Sequence, residues 1–306
     1  MSGAAHADGS HPATESVLSG FPVGVLGGGR MGAGIAHAFL LAGASVVVVE
    51  RNAVEADAAR GRIEHAVDVS IERDATAERG GTSLGRGALL AQLDVGTAVE
   101  RFADRRLVIE AVPEDRALKA DALRRVEAAL MADAALATNT SSISIDTLAA
   151  SLELPQRFVG LHFFNPVPAS SLVEIVAGSA TTPALVSDAQ DWVTALGKTP
   201  VTVRDSPGFA SSRLGLALGL EAIRMLEDGV ASAEDIDAAM VLGYKHPIGP
   251  LRLTDIVGLD VRLGIAEYLH GELGDRFEPP ALLRALVANG KLGRKTGEGF
   301  YRWDAP

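Results

Sequence analysis

Short apolar runs alternate with longer helical patterns over the first two thirds of the sequence. Continuous apolar runs of this length predict strands that are buried on both faces of a sheet. The predicted strands are Phe21–Gly27, Ala44–Glu50, Arg106–Val112, Ala134–Thr138, Arg157–Phe164, Leu172–Val176 and Thr199–Val203. The predicted helices between them are Met31–Leu41, Asn52–Arg73 and Asp115–Met131, and a glycine-rich loop is predicted at Gly80–Gly87. This alternation indicates βαβ units around a parallel sheet.

The pattern changes at the turn Arg204–Gly208. Beyond it only helical signals are present, among them Ser232–Asp235, which resembles a capping box at a helix start. We therefore predict an α/β domain at residues 21–205 and an all-α C-terminal domain at residues 206–306. Residues 1–20 are rich in Ala, Ser, Gly and His and have neither a basic start nor an apolar stretch. They are interpreted as a disordered tail and not as a signal peptide.

Composition narrows the class of protein. With 306 residues, 47% of them hydrophobic and 22% charged, the chain is typical of a globular protein with two cores. No apolar run reaches the roughly 20 residues that a membrane span needs. A net charge of −11 argues against nucleic acid or an anionic membrane as partner. The absence of cysteine excludes disulfides, thiolate metal sites and thiol nucleophiles. We predict a cytoplasmic protein without a metal.

Gly27, Gly29 and Gly32 form a G-x-G-x-x-G pattern between the first predicted strand and the first predicted helix. In that position the pattern predicts a Rossmann-type dinucleotide site, with the pyrophosphate at the helix N-terminus. Glu50 ends the next strand, where a carboxylate can accept hydrogen bonds from the adenosine ribose. NAD is therefore favoured, because the carboxylate would repel a 2′-phosphate. The neighbouring Arg51 leaves NADP open, since an arginine can hold that phosphate.

A dehydrogenase that oxidises an alcohol needs a base for the hydroxyl proton, and histidine suits this role. His162 lies at the end of an apolar strand, where a histidine is more often a satisfied core residue. Two features favour catalysis. Asn165 and a proline-rich turn follow at once, and Glu174 lies inside the next apolar strand, where a carboxylate is costly without a partner. If the two strands pair, Glu174 can orient the His162 ring and stabilise the imidazolium.

The segment Asn139–Ser142 follows a predicted strand and offers hydroxyls to a substrate oxygen. The other interpretation of this segment is a helix N-cap, formed by Ser142 or Ser144. Both roles can hold for different residues.

Eight segments in order resemble the L-3-hydroxyacyl-CoA dehydrogenase family, most of all its short bacterial 3-hydroxybutyryl-CoA members. They are Gly27–Gly34, Ile109–Asp115, Ala137–Ile143, Gly160–Pro168, Asp205–Phe209, Val230–Asp237, His246–Pro250 and Gly293–Tyr301. The resemblance runs from about Phe21 to Trp303. It implies a Rossmann-type N-terminal domain and an all-α C-terminal domain, with the active site in the cleft between them. It also implies NAD-dependent, reversible oxidation of a short (S)-3-hydroxyacyl-CoA, such as 3-hydroxybutyryl-CoA, to the 3-ketoacyl-CoA.

The resemblance also assigns roles to residues. His162 is implied to be the base, Glu174 its partner and Ser141 the hydroxyl that holds the substrate oxygen, with Ser212 as a further catalytic position. The implied substrate contacts are Ser141, Asn165 and Ser212. The implied cofactor contacts are Gly27, Gly29, Arg30, Met31, Gly32, Glu50, Ala111, Glu114, Lys119 and Asn139. A homodimer is implied, formed through the apolar helix after Phe209 and the segment Leu251–Leu263.

Two positions depart from the family pattern. Ser212 precedes Arg213 where the family usually has asparagine, and Ser170 and Ser171 stand where Met-Lys is usual. Both changes shorten side chains, which motivates the hypothesis of a shifted acyl-chain preference. Arg60 and Arg62 could meet CoA phosphates, although a solvated helix face is the favoured interpretation.

Two other functions stay open. A sister dehydrogenase could act on a free hydroxy acid or sugar acid without CoA. A non-catalytic NAD-binding protein is a further possibility, which the set Ser141, His162 and Glu174 argues against.

Overall fold

The computed structural model describes residues 16–76 and 85–304. Its strands are β1 (Pro22–Leu26), β2 (Ser45–Val49), β3 (Leu93–Gly96), β4 (Leu107–Glu110), β5 (Ala135–Thr138), β6 (Phe158–Phe163), β7 (Leu172–Ala177) and β8 (Thr199–Arg204). They form one sheet in the order β3-β2-β1-β4-β5-β6-β7-β8. The five pairs from β3 across to β6 are parallel. The predicted parallel sheet is confirmed, and β6 and β7 are neighbours as proposed from the sequence.

The helices alternate with the strands through the first two thirds of the chain. In this part they are α1 (Arg30–Leu41), α2 (Ala53–Thr76), α3 (Arg86–Ala91), α4 (Arg116–Ala129), α5 (Ile145–Ala149) and α6 (Pro183–Ala195). Those after β8 are α7 (Ser211–Glu227), α8 (Ala233–Ala238), a π-helical turn (Ala239–Gly243), α9 (Pro250–Val257), α10 (Leu259–Leu273) and α11 (Ala281–Ala288). From Asp205 to Asp304 the chain contains helices and two isolated β-bridges, so the all-α prediction is confirmed.

The sheet is hydrophobic because its central strands are buried on both faces. Valine fills four of the five positions of β2, and these four side chains are buried. β-Branched residues fit such a pleated, covered surface. The core of this part includes Ile35 and Phe39 of α1, which cover the sheet from one side.

The described chain divides into two compact units. The first comprises the residues up to Asn139 with Leu152–Ile175 and Thr181–Val201, and the second comprises Thr140–Ser151, Val176–Ala180 and the residues from Thr202 onward. The units therefore interleave along the sequence, and the last break lies between Val201 and Thr202. Asp205 accounts for part of this grouping. Its carboxylate accepts hydrogen bonds from the Ser144 hydroxyl at 2.7 Å and from the Asp146 amide at 2.9 Å.

The structure differs from the sequence interpretation at its early segments. The predicted tail reaches Gly20, but the described chain starts at Ser16 and buries Leu18 completely in the core of the sheet. α3 and β3 were not predicted from the sequence. The predicted loop Gly80–Gly87 lies outside the described residues up to position 84. Of its last three residues, Gly85 is the N-cap of α3, and Arg86 and Gly87 belong to that helix. Leu18 lies in the turn at residues 17–20, where its side chain is buried while that of Val17 is exposed.

Two buried carboxylates order the C-terminal part of the second unit. Asp255 is completely buried and accepts hydrogen bonds from the Phe300 amide, the Tyr301 amide and the Trp303 indole, all within 2.9 Å. Asp237 accepts bonds from the Leu251 amide and the Tyr301 hydroxyl, each at 2.8 Å. A buried carboxylate needs such donors to offset its lost hydration.

His37 links α1 to α2. Its ring is 1% exposed, and Nε2 lies 3.0 Å from the Ser70 hydroxyl. Nδ1 has no hydrogen-bond partner within the described residues. Burial, and secondarily the charge of Arg73, lowers the pKa of His37 from 6.5 to about 4. The neutral ring is therefore the form that the native packing favours.

We expect His37 to make the free energy of unfolding depend on pH. The unfolded chain takes up the proton near pH 6.5 and the native chain only near 4. The stability that the neutral His37 ring contributes is therefore fully present above pH 6.5 and is lost as the pH falls towards 4. The difference corresponds to about 3 kcal/mol at the acid end. Urea unfolding at several pH values should show a flatter curve for His37→Gln than for the wild type. His65→Gln, at an exposed position of α2, is the control and should keep the wild-type slope. An unchanged slope in His37→Gln would contradict the assignment.

Candidate active site

The glycine loop joins β1 to α1. Gly27 has φ +91°, a conformation that favours glycine. A Cβ on Gly32 would lie 1.8 Å from the Gly27 carbonyl oxygen, so only glycine lets the helix approach the loop this closely. A Cβ on Gly29, the residue before α1, would meet no atom within 4 Å. The loop thus combines close packing on the protein side with open space at the helix N-terminus, where a pyrophosphate binds in dinucleotide sites.

Glu50 lies against this loop. Its Oε1 accepts a hydrogen bond from the Gly28 amide at 2.6 Å, and the Arg62 Nε donates to the Gly28 carbonyl at 3.0 Å. Arg51 is ion-paired with Glu55 at 2.7 Å and is mostly exposed. A 2′-phosphate near Arg51 would therefore meet the carboxylates of Glu50 and Glu55 as well, which favours NAD over NADP. Arg60 lies 4.0 Å from Glu64 on the same helix and makes no contact that identifies a CoA subsite.

A buried ion pair supports the segment after β4. The Lys119 ammonium lies 2.9 Å from Oε1 of Glu110, and both residues are at most 1% exposed. Lys119 also donates to the Val112 carbonyl at 3.1 Å and lies 3.4 Å from the Glu114 carboxylate. Thr138 donates to Glu110 at 2.6 Å. Burial raises the pKa of Glu110, and the ammonium, the hydroxyl and the Val112 amide oppose that rise.

This ion pair stands next to the glycine loop. A Cβ on Gly27 would lie 3.1 Å from the carbonyl oxygen of Ala111, the residue that follows Glu110. The structure therefore places Ala111, Glu114 and Lys119 at the same edge as the glycines, as their predicted cofactor role requires. Glu110 was given no role in the predictions from the sequence. The available signal was an acid inside an apolar strand, the same signal that singled out Glu174.

Asn139 connects the ends of β5 and β6. Its side-chain oxygen accepts a hydrogen bond from the Phe163 amide at 2.8 Å, one residue beyond His162. Glu110, Thr138 and Gly160 are aligned across neighbouring parallel strands. Because parallel strands end at the same edge, the glycine loop, Asn139 and the end of β6 share the carboxyl edge of the sheet. Ligands of open parallel sheets bind at this edge.

His162 and Glu174 are in contact, as the sequence predicts. The His162 Nδ1 lies 2.8 Å from Oε2 of Glu174, and the two residues are 6% and 1% exposed. The Phe164 ring packs against the imidazole at a centroid distance of 4.3 Å. An ionised carboxylate only accepts hydrogen bonds, so the neutral imidazole carries its proton on Nδ1. That tautomer leaves the lone pair on Nε2, which is the arrangement of a general base.

The predicted substrate residues lie in different parts of the chain. Ser141 precedes α5 and Ser212 lies in the first turn of α7, both in the second unit, while Asn165 is exposed in the turn after β6. Ser144 accepts a bond from the Thr147 amide and caps α5, so the N-cap prediction holds for Ser144. Arg30 and Met31 begin α1 directly after Gly29.

Within residues 16–76 and 85–304, His, Asp and Glu side chains form no group of three or more that could hold a metal ion. Among the helices of these residues, none combines the length and the apolar character needed to cross a membrane.

Two family profiles match nearly the whole chain. Residues 22–206 match "3-hydroxyacyl-CoA dehydrogenase, NAD binding domain", and residues 208–303 match "3-hydroxyacyl-CoA dehydrogenase, C-terminal domain". The chain belongs to the 3-hydroxyacyl-CoA dehydrogenase family. The predicted family and the NAD-binding character of the N-terminal part are confirmed.

Similar members of this family come from several bacteria. The chain is 42% identical over 284 residues to a 3-hydroxybutyryl-CoA dehydrogenase of Mycobacterium tuberculosis, an alignment that covers 92% of this chain and 98% of the relative. The crystal structure of M. tuberculosis FadB2 matches with a TM-score of 0.86 at 41% identity, covering 94% of this chain and all of that one. The (S)-3-hydroxybutyryl-CoA dehydrogenase PaaH1 from Ralstonia eutropha matches with a TM-score of 0.85 at 38% identity, covering 92% and 98%.

Proposed function

We propose that this protein catalyses the reversible, NAD-dependent oxidation of a short (S)-3-hydroxyacyl-CoA, such as 3-hydroxybutyryl-CoA, to the 3-ketoacyl-CoA. The observation that carries the proposal is the contact of 2.8 Å between His162 and Glu174. It lies at the carboxyl edge of a sheet whose first strand leads into the glycine loop. Family membership and the names of the similar proteins support the same reaction.

His162 moves the proton in this mechanism. In the oxidation direction, Nε2 takes the proton of the 3-hydroxyl while the C3–H bond breaks and the C3–O bond becomes a carbonyl. Throughout the reaction the Glu174 carboxylate accepts a hydrogen bond from the Nδ1–H group of His162. Its negative charge therefore stabilises the imidazolium as it forms. In the reduction direction the protonated His162 returns the proton to the carbonyl oxygen. Ser141 and Ser212 are proposed to hold the substrate oxygen, and Asn165 is proposed as a further substrate contact.

The residues around the glycine loop fit NAD. The open helix start at Gly29 takes the pyrophosphate, and Glu50 accepts the ribose hydroxyls. Arg30, Met31, Ala111, Glu114, Lys119 and Asn139 complete the proposed cofactor set. Bound NAD⁺ supplies the hydride acceptor. Glu110 holds Lys119 and thereby orders the segment that includes Val112 and Glu114.

An absorbance assay at 340 nm tests the proposal. We expect acetoacetyl-CoA to be reduced with NADH and free acetoacetate to react at least about 10²-fold more slowly in kcat/KM, because CoA binding energy is lost. Equal rates with the free acid would favour the sister dehydrogenase. NADPH should be the poorer cofactor, since Glu50 and Glu55 repel its 2′-phosphate. Binding of NADH without turnover of either substrate would favour a non-catalytic NAD-binding protein.

The same assay with 3-ketoacyl-CoA substrates of four to eight carbons, and with dicarboxylic ones, tests the acyl-chain hypothesis. Ser170, Ser171 and Ser212 are shorter than the residues usual in the family, so we propose that the optimum moves away from the four-carbon substrate. A plain four-carbon optimum would reject that shift and leave the reaction unchanged.

We also propose that residues 206–306 mediate a homodimer in a cytoplasmic enzyme. The helix after Phe209 exposes Leu214 by 70%, and the segment Leu251–Leu263 exposes Val257 and Val261 by about 40% each. Exposed apolar side chains of this kind favour contact with another copy. Sedimentation equilibrium measures the mass, and the mass of a single chain at micromolar concentration would contradict the dimer.

A further inference from the structure

The turn Asn165–Ser171 joins the strand of His162 to the strand of Glu174. β6 ends at Phe163 and β7 begins at Leu172, so the turn fixes how the two strands meet. Both partners of the 2.8 Å contact lie within three residues of the turn. A change in its shape would therefore alter the distance or the angle between Nδ1 and Oε2.

Lys198 binds backbone carbonyls of this turn. It follows the end of α6, and its ammonium donates to the Val167 carbonyl at 2.7 Å and to the Ser170 carbonyl at 2.6 Å. The next residue, Thr199, donates its amide to the Ser171 carbonyl at 2.6 Å. Three backbone carbonyls of the turn are thus bound by two adjacent residues. A cation that binds free carbonyls closes a turn as a capping group closes a helix end.

The other side of the turn rests on the cofactor-binding helix. Val167 is 3% exposed, and a Cβ on Gly34 of α1 would lie 3.0 Å from the Val167 Cβ. Gly34 thus leaves the space in which Val167 packs. The turn is held between α1, which begins at the glycine loop, and Lys198.

Lys198 has no competing anion among the residues that the structure describes. No carboxylate there lies within ion-pair distance of its ammonium, and burial alone lowers its pKa. Its hydrogen bonds to the turn are therefore the interactions that offset its partial burial.

We propose that Lys198 is a positioning residue of the active site: its bonds to Val167 and Ser170 fix the turn that sets the contact between His162 and Glu174. Lys198 itself takes no part in proton transfer. This role rests on the proposed function for its kinetic consequence, whereas its effect on the turn is independent of the reaction.

Lys198→Met tests the proposal, because methionine keeps an apolar chain of similar length and removes the donors. We expect kcat for acetoacetyl-CoA reduction to fall about 10- to 100-fold, as a small misplacement of a catalytic base does. The KM for NADH should stay within about twofold, since the glycine loop is unchanged. Lys198→Arg restores a cationic donor and should recover most of kcat. Lys291→Met, at a partly exposed lysine that pairs with Glu298 in the second unit, is the matched control and should behave as the wild type.

Hydrogen–deuterium exchange separates this inference from the proposed function. In Lys198→Met the peptides that cover residues 163–172 should exchange faster, and in Lys291→Met they should not. That result supports the role of Lys198 in fixing the turn even if the wild-type protein reduces no acyl-CoA. Unchanged exchange in these peptides would overturn the proposal. So would wild-type kcat in Lys198→Met, or a loss of kcat that Lys198→Arg does not recover, in a protein that reduces acetoacetyl-CoA.

Discussion

His162→Gln should reduce kcat for acetoacetyl-CoA by roughly 10²- to 10⁴-fold, the usual contribution of a positioned acid or base. Glutamine can still accept a hydrogen bond, but it cannot take or return the proton of the substrate oxygen. The KM for NADH should change little, because Glu50 binds the Gly28 amide of the glycine loop, whereas His162 is held by Glu174. Stopped-flow single turnovers with NADH in excess measure the chemical step directly.

Glu174→Gln should also lower kcat, by about 10²-fold or more, although the base itself is retained. The amide can donate to Nδ1, which selects the wrong tautomer and places the ring proton on Nε2. It also removes the buried negative charge that stabilises the imidazolium. Comparing the two variants distinguishes loss of the base from loss of its orientation.

His65→Gln is the matched control for these variants, since His65 is exposed on α2. It should keep wild-type kinetics, and circular dichroism should show all three variants folded. A His162→Gln protein that folds and retains close to the wild-type kcat would refute the assigned base.

The main architecture could be predicted from the sequence because its signals are local. The valines of β2 form an unbroken run, and the glycines after β1 lie where the strand meets a helix. A strand that is buried on both faces of a sheet needs such an apolar run. The runs in the sequence therefore predict a parallel sheet. β3 was missed because two of its four residues are polar or glycine, and an edge strand has no long apolar run.

The catalytic pair could be predicted because each member is conspicuous. His162 ends an apolar strand, and Glu174 is an acid in the middle of another. Glu110 carries the same signal in β4, yet its partner lies on a helix, nine residues later in the sequence. Lys198 gives no signal, because its partners are backbone carbonyls and any residue type supplies those. Hydrogen bonds from a side chain to distant backbone carbonyls become visible only in the three-dimensional structure.

Lys119→Met should destabilise the protein by about 3–5 kcal/mol, because the variant leaves the Glu110 carboxylate buried without its partner charge. The Glu110 carboxyl would keep its hydrogen bonds from Thr138 and from the Val112 amide but would lose the ammonium at 2.9 Å. Burial already raises the pKa of Glu110, so the carboxyl would become easier to protonate without Lys119. The native state would then lose stability most strongly at neutral and higher pH, where the unfolded chain keeps the carboxylate ionised in water.

Urea unfolding followed by circular dichroism measures this loss. Lys295→Met is the matched control, because Lys295 also binds both oxygens of a carboxylate, at 2.6 Å in Asp260, but both side chains are 39–46% exposed. An exposed pair contributes about 0–1 kcal/mol, so this variant should remain close to the wild type. A Lys119→Met variant that is as stable as Lys295→Met would contradict the argument.

The double variant Glu110→Gln, Lys119→Met separates charge from packing. It removes both charges, so it should regain part of the stability that Lys119→Met loses. It should not regain NADH affinity, because Lys119 also holds the Val112 carbonyl and Glu114 beside the glycine loop. Titration of NADH fluorescence on both variants tests this point. Recovery of stability without recovery of binding would show that the buried pair stabilises the sheet through its charge balance and orders the cofactor edge through the lysine alone.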